Sequence, residues 1–208
     1  MEVELYSHGA AEEVTGSKHF LRVDGGTVMV DCGAFQGRRA EADEKNRLWP
    51  FRAEEVDAVV LTHAHFDHCG LVPLLRKNGF GGNVWATPAT RDIANLVMMD
   101  SAHIQAKDLE FLRKKAEKKG EVFEKEPLYG ERNVLESLES FVTVSYHRRF
   151  APCRGITATY YDAGHILGSA LVTLETGNGE NLRVGFSGDL GRNGLPIIRD
   201  PEPLPPVD

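Results

Sequence analysis

Apolar residues fall in short β-prone runs at the two ends of the chain and in longer spaced arrangements between them. Val3–Tyr6, Lys18–Val23 and Thr27–Val30 read as strands, with Asp24-Gly25-Gly26 as the hairpin turn between the last two. Val56–Leu61 reads as a buried strand, Gly70–Lys77 as a short helix and Asn83–Ala86 as another strand. Thr87-Pro88 is a helix start: threonine can cap, and proline at the first helical position gives up an N–H that has no partner anyway. Helix is predicted onward to about Lys119 and again over Glu131–Glu139. Strands return at Phe141–Ser145, Ile156–Tyr161, Ala170–Glu175 and Leu182–Phe186, the last two joined by the turn Thr176-Gly177-Asn178-Gly179. The end, Pro201–Asp208, is Pro-rich and cannot be a sheet interior. Strands, then helices, then strands predict an α/β protein whose sheets are covered by helices on their outer faces.

The chain's 208 residues suffice for one domain with a buried core, and an apolar content of 41% fits a globular chain. No apolar run is long enough to span a bilayer, and Met1-Glu2-Val3-Glu4 has no signal-peptide character. Cys32, Cys69 and Cys153 are odd in number and widely spaced, so a reducing cytoplasm is the expected location. A net charge of −7 argues against wrapping nucleic acid with a basic surface. The basic clusters at Arg113–Lys119 and His147-Arg148-Arg149 read as solvated faces, the first being interleaved with glutamates.

Thr62-His63-Ala64-His65-Phe66-Asp67-His68 changes the picture. Three histidines and a carboxylate directly after an apolar strand are hard to explain as packing and easy to explain as ligands for two zinc ions. His63 and His65, two apart in an extended segment, point the same way. Asp67 and His68 lie where the chain turns into a helix and can face a second metal. Zinc needs further ligands, and two later positions have the right form: His165 after Tyr161-Asp162-Ala163-Gly164, and Asp189 after Phe186-Ser187-Gly188. Asp31 ends a strand; it is either a hydrogen-bond partner that orients a ligand histidine or a plain turn former. Thr62 and Asp162 could orient a ligand in the same way, and for Asp162 the turn-former reading also stays open. His8, His19, His103 and His147 match no ligand position, although His8 adjoins the Gly9-Ala10-Ala11 loop and could touch substrate. Cys69 is not read as a ligand, because Asp67 and His68 fill that place. Phe35 and Gln36 either line a substrate groove or pack the loop.

With these residues assembled, the chain resembles the metallo-β-lactamase fold, and within it the β-CASP nucleases related to the endonuclease that cuts messenger-RNA precursors. The words that carry the resemblance are Gly9–Ser17, Asp31–Gly37, Leu61–His65, Ala163–Ala170 and Phe186–Gly191; Val14-Thr15-Gly16-Ser17 and Gly164–Ser169 are the ones particular to the branch. The resemblance implies an αββα sandwich with the metals at one edge between the sheets. It implies that His63, His65 and His165 bind one zinc, that Asp67 and His68 bind the second, and that Asp189 bridges them. In that branch the lactamase half is interrupted by a β-CASP domain and then resumes, supplying a further histidine ligand and a histidine that assists the leaving group. The expectation is therefore residues 1–200 as the N-terminal part of a metallo-β-lactamase-like domain, and 201–208 as a tail leading to a β-CASP domain not contained in this sequence.

The implied activity is that of a zinc-dependent phosphodiesterase or ribonuclease, with Asp67 and Asp189 as catalytic metal ligands and a zinc-activated water attacking phosphorus. Loop amides around Thr15, Gly16 and Ser17, and around Gly168 and Ser169, could form nests for a phosphate. RNA is the implied partner ahead of single-stranded DNA, with no membrane and with a homodimer possible in the longer protein. One zinc is expected to bind tightly and the second weakly or not at all in this segment, with activity correspondingly impaired. The alternatives are a small-molecule thioester or lactam hydrolase and a non-catalytic RNA-processing subunit.

Overall fold

A computed structural model describes residues 2–177 and 182–208, and among these the strands form two stacked sheets. The first runs in the order β1 (Val3–Ser7), β2 (His19–Val23), β3 (Gly26–Val30), β4 (Ala58–Val60), β5 (Asn83–Ala86), β6 (Phe141–Thr143). Its β1–β3 part is an antiparallel meander, and β3 to β6 are parallel. Parallel neighbours require crossovers. These are α1 (Arg39–Arg47), then α2 (Phe66–Cys69) with α3 (Val72–Lys77), then α4 (Pro88–Glu117) with α5 (Glu131–Leu138). The second sheet is antiparallel, in the order β10 (Arg183–Phe186), β9 (Ala170–Thr176), β8 (Ile156–Asp162), β7 (Phe150–Cys153).

Strand periodicity divides the apolar residues between two cores. Phe20, Met29 and Val59 face the helices and pack with Leu75, Met98 and Val134. Leu21, Val28, Val30 and Val60 face the other way and meet Ala158, Tyr160, Val172 and Leu174 of the second sheet. Each such aliphatic side chain removed from water stabilises the fold by about 1.5–3 kcal/mol. The fold is thus mixed α/β, with a helical layer on the first sheet and the second sheet stacked behind it.

The predicted elements recur with informative differences. The helix read over Gly70–Lys77 is α3, which starts two residues later at Val72 and tolerates Pro73 because its first turn needs no N–H there. A separate helical turn, α2, precedes it at Phe66–Cys69, where the sequence predicts no helix. Thr87 does cap α4, accepting the Thr90 N–H. Neither α1 nor β7 is visible as a hydrophobic pattern: α1 is almost wholly polar, and β7 is a short edge strand containing Pro152. Asn178 and Gly179 of the predicted 176–179 turn lie outside the described residues. Residues 201–208 are not a strand; they cross the outer face of the second sheet. Glu202 N–H donates to Asp162 O and Asp208 N–H to Arg183 O, while Leu204 and Val207 lie over Gly185. Among the described residues, no helix is long and apolar enough to cross a membrane.

Candidate metal centre

The site lies beyond the carboxyl ends of β3 and β4, the edge where parallel sheets generally bind ligands. The turn that carries His65, Asp67 and His68 is held by backbone bonds. Ser17 N–H donates to Asp67 O, Cys32 N–H to His68 O and Ala34 N–H to Phe66 O. Gly33 lies so close to this turn that a Cβ there would sit 1.5 Å from Asp67 O. Behind it, Lys18 is wholly buried. Its amine donates to Gly16 O at 3.0 Å and Gly33 O at 2.6 Å and sits 4.5 Å over the Phe35 ring. Burial pushes that amine down to about 8.

Asp31, in the left-handed region at φ +62, is the buried hub. Its Oδ1 accepts the Thr62 N–H at 2.8 Å, and its Oδ2 pairs with His68 Nδ1 at 2.7 Å. The Thr62 hydroxyl lies 2.9 Å from both carboxylate oxygens and 3.0 Å from His63 Nδ1. With Nδ1 of both rings engaged in this way, the Nε2 atoms of His63 and His68 are left facing outward. Burial alone would raise the Asp31 carboxyl; the charge and hydrogen bond of His68, then His63 and the Thr62 amide, outweigh it and lower it. Burial would lower His68, but the Asp31 carboxylate, followed by Asp189 and Asp67, lifts it to about 9. Burial dominates at His63 and His165, both held below the usual imidazole value.

His165 arrives from the loop between β8 and β9, and Asp189 follows β10. His63 Nε2 lies 3.0 Å from His65 Nδ1, and His165 Nε2 lies 3.2 Å from the same atom. Asp189 Oδ2 lies 3.6, 3.9 and 3.4 Å from His63 Nε2, His65 Nδ1 and His165 Nε2. One such atom from each of these four residues lies within 4.8 Å of the others. Zinc–nitrogen bonds of about 2.0–2.1 Å imply tetrahedral edges of roughly 3.3–3.4 Å, close to these separations. Three imidazole nitrogens converging on one carboxylate oxygen set lone pairs against lone pairs, and a cation among them relieves that repulsion. The other oxygen, Asp189 Oδ1, lies 3.4 Å from His68 Nε2, which is 4.0 Å from Asp67 Oδ2. His63 and His68 form the buried wall, whereas the side chains of His65 and Asp189 are 44% and 43% exposed and form the open side.

Of the six residues expected as ligands, His63, His65, His165 and Asp189 converge on one point, His68 lies beside Asp189, and Asp67 stands farther out, 4.0 Å from His68; Asp31 and Thr62 lie behind the histidines. Asp162 does not reach the histidines; its Oδ1 accepts the Gly164 N–H and shapes the turn before His165. Ser17 and Ser169 are buried, and their N–H groups donate to Asp67 O and Ile166 O, which removes those two amides as phosphate donors. Thr15 Oγ1 accepts the Gln36 N–H, and Gly16 O accepts Lys18. Phe35 is buried packing. His8 stands edge-on to Phe35 and Phe51, while His103 and His147 pair with Glu131 and Glu202. Lys18 escapes sequence reading because a lysine beside strand residues looks like a surface position.

The sequence profile of the Metallo-beta-lactamase superfamily matches residues 15–145. Ribonuclease TTHA0252 of Thermus thermophilus is 35% identical over 205 residues, covering 99% of this chain and 42% of that protein. Transcription termination factor FttA of Pyrococcus horikoshii is 33% identical over 198 residues, covering 90% of this chain and 28% of that one. The chain therefore spans less than half the length of these curated relatives. Among solved structures, a metallo-β-lactamase of Cronobacter sakazakii superposes with a TM-score of 0.54 at 17% identity, covering 93% of this chain and 59% of that one. The Rm3 metallo-β-lactamase gives 0.52 at 17%, covering 92% and 62%. At such identities the structures speak for the fold alone. The profile match over most of the chain carries the assignment: this protein belongs to the metallo-β-lactamase superfamily.

Proposed function

We propose that the chain is the metal-binding part of a β-CASP-type, zinc-dependent phosphodiesterase that cuts RNA. The observation that carries this is the two-sided carboxylate of Asp189, with Oδ2 toward three histidines and Oδ1 toward His68. His63, His65 and His165 would hold one zinc and Asp67 with His68 the second, with Asp189 shared. A donor set of imidazole nitrogens and carboxylate oxygens suits zinc. Bound zinc supplies Lewis acidity and a water of lowered pKa.

The chain's own residues do the positioning. Asp31 and Thr62 fix which nitrogen each buried histidine presents. The half-exposed pair His65 and Asp189 marks the side from which a phosphodiester enters. Backbone amides near Thr15, Gly16 and Gly168 are the remaining candidates for holding its oxygens. RNA is favoured as substrate because the relatives include a protein named a ribonuclease. With three donors against four, the second zinc is expected to bind more weakly than the first in this segment. Cytoplasmic location and a homodimer of the longer protein belong to the same reading.

The test is cleavage of labelled RNA and of single-stranded DNA by the protein and its Asp67→Ala variant, with metal content measured in parallel. RNA cleavage that the variant loses supports the proposal. Hydrolysis of a thioester or lactam without RNA cleavage overturns it.

A further inference from the structure

The loop that brings His165 to the centre has few backbone ties of its own: Ala163 N–H to Ser169 O, Ser169 N–H to Ile166 O and Gly191 N–H to Ala163 O. Its Gly168 carbonyl instead receives two hydroxyls from the first turn of α4, Thr87 Oγ1 at 2.7 Å and Thr90 Oγ1 at 2.8 Å. Both threonines are buried, at 2% and 0% exposure. Thr87 Oγ1 accepts the Thr90 N–H as the helix cap, so its proton is free to point at Gly168. A threonine within a helix ordinarily turns its hydroxyl back to a carbonyl of the preceding turn; Thr90 turns outward to Gly168 instead. Gly168, at φ +84, has no room for a side chain. A Cβ there would lie 2.6 Å from Thr90 N and 2.8 Å from Thr87 Oγ1. Farther along, α4 packs on α2, the element that bears Asp67 and His68. One long rigid helix therefore touches both segments whose side chains converge on the centre.

We infer that the paired hydroxyls of Thr87 and Thr90 are a positioning device for His165. By locking Gly168 O to the start of α4, they set where His165 stands relative to His63 and His65, and so tune metal affinity at the three-histidine site. This rests on the metal reading proposed above but not on the substrate. Neither threonine touches metal or substrate; both act through the loop.

Cobalt(II) titration of the chain, followed by its visible absorption, tests the inference alongside thermal melting of the metal-free protein. Thr90→Val keeps shape and removes one of the two donors. It is expected to weaken cobalt binding about 5- to 10-fold, less than the roughly 10- to 100-fold that follows loss of a partner bonded to the ligand itself, because Thr87 still donates to Gly168 O. Thr90→Ser keeps the hydroxyl and is expected to bind within threefold of the parent. If Thr90→Val does not fold, Thr90→Ala, which gains helix propensity, is titrated with the same expectation. A folded donor-less variant that binds within threefold of the parent, whatever its melting temperature, overturns the inference and leaves the pair a structural anchor. Equal weakening in Thr90→Ser overturns it too, because the hydroxyl would not be the cause. A parent chain that binds no cobalt overturns the metal reading and this inference together, whereas failure to cut RNA touches only the substrate.

Discussion

The two ligand-bearing segments are held in place by different kinds of bond. The 66–68 turn is pinned through its backbone, with amides of Ser17, Cys32 and Ala34 donating to three successive carbonyls. The 163–169 loop depends on side chains. Thr87 and Thr90 hold Gly168 O, Tyr146 OH donates to Ser169 O, and Ser169 Oγ accepts the His165 and Ile166 amides. Backbone ties ignore side-chain identity except where a side chain is forbidden. Hydroxyl ties vanish with one conservative substitution. The first segment should therefore fail abruptly at few positions, and the second gradually at several.

The largest effect is expected from Gly33→Ala. Its methyl would collide with Asp67 O, so the ladder from Cys32 to Ala34 must move; the cost is about 3 kcal/mol or more, read as a large drop in melting temperature. A variant that melts like the parent would show that the turn is not pinned as described.

Next in size is Asp31→Asn, which removes the charge that orients His68. Metal affinity at the second site should fall about 10- to 100-fold, the three-histidine site losing less. Zinc titration that shows equal losses at both sites would erase the distinction between them.

A smaller effect concerns pH in the metal-free chain. His68 titrates at about 9 when folded and near the ordinary histidine value of about 6.5 when unfolded. The folded state holds the proton more tightly, so this stabilisation is complete below pH 6.5 and is lost as pH rises through 9. The imidazoles of His8, His19, His63 and His165, lowered by burial, give an opposite slope that is spent by about pH 7. The His68 contribution is therefore read between pH 7 and 8 as the difference between the parent and Asp31→Asn in denaturant unfolding, a decline of about 1 kcal/mol. Lys18, lowered to about 8, acts in the opposite sense: above pH 8 its contribution rises toward the unfolded lysine value, so the slope is read below that point.

The smallest is Tyr146→Phe. Ser169 O keeps the Ala163 N–H when the phenol hydroxyl is removed, so the cost is about 0.5–1.5 kcal/mol and at most a few-fold in metal affinity. A loss as large as that of Asp31→Asn would mean that the loop hangs mainly on this one bond.

Much of this was legible beforehand because it is written in short-range patterns. The β-prone runs Lys18–Val23 and Thr27–Val30 marked two strands, and the structure sends the two faces of those strands to two cores. The His63–His68 cluster announced itself by residue type alone. Thr87-Pro88 predicted the start of α4 but not the second bond of its cap. The polar α1 and the proline-bearing β7 left no periodic trace, because each is held by its neighbours rather than by an apolar face of its own. The phosphate-nest reading of Ser17 and Ser169 went astray for a related reason: glycine-rich words report a tight turn but not which way its amides point.

The chain by itself determined the candidate ligand types, the strand ends that present them and the family to which the chain belongs, since turn chemistry and periodicity act over a few residues. Only the tertiary structure decided that Asp189 shows one oxygen to three histidines and the other to His68. It likewise decided that Lys18 is a buried strut and that Thr87 and Thr90 meet Gly168 across 81 and 78 residues of chain. Such bonds depend on how layers stack, and stacking is set by the whole core rather than by any local run of sequence.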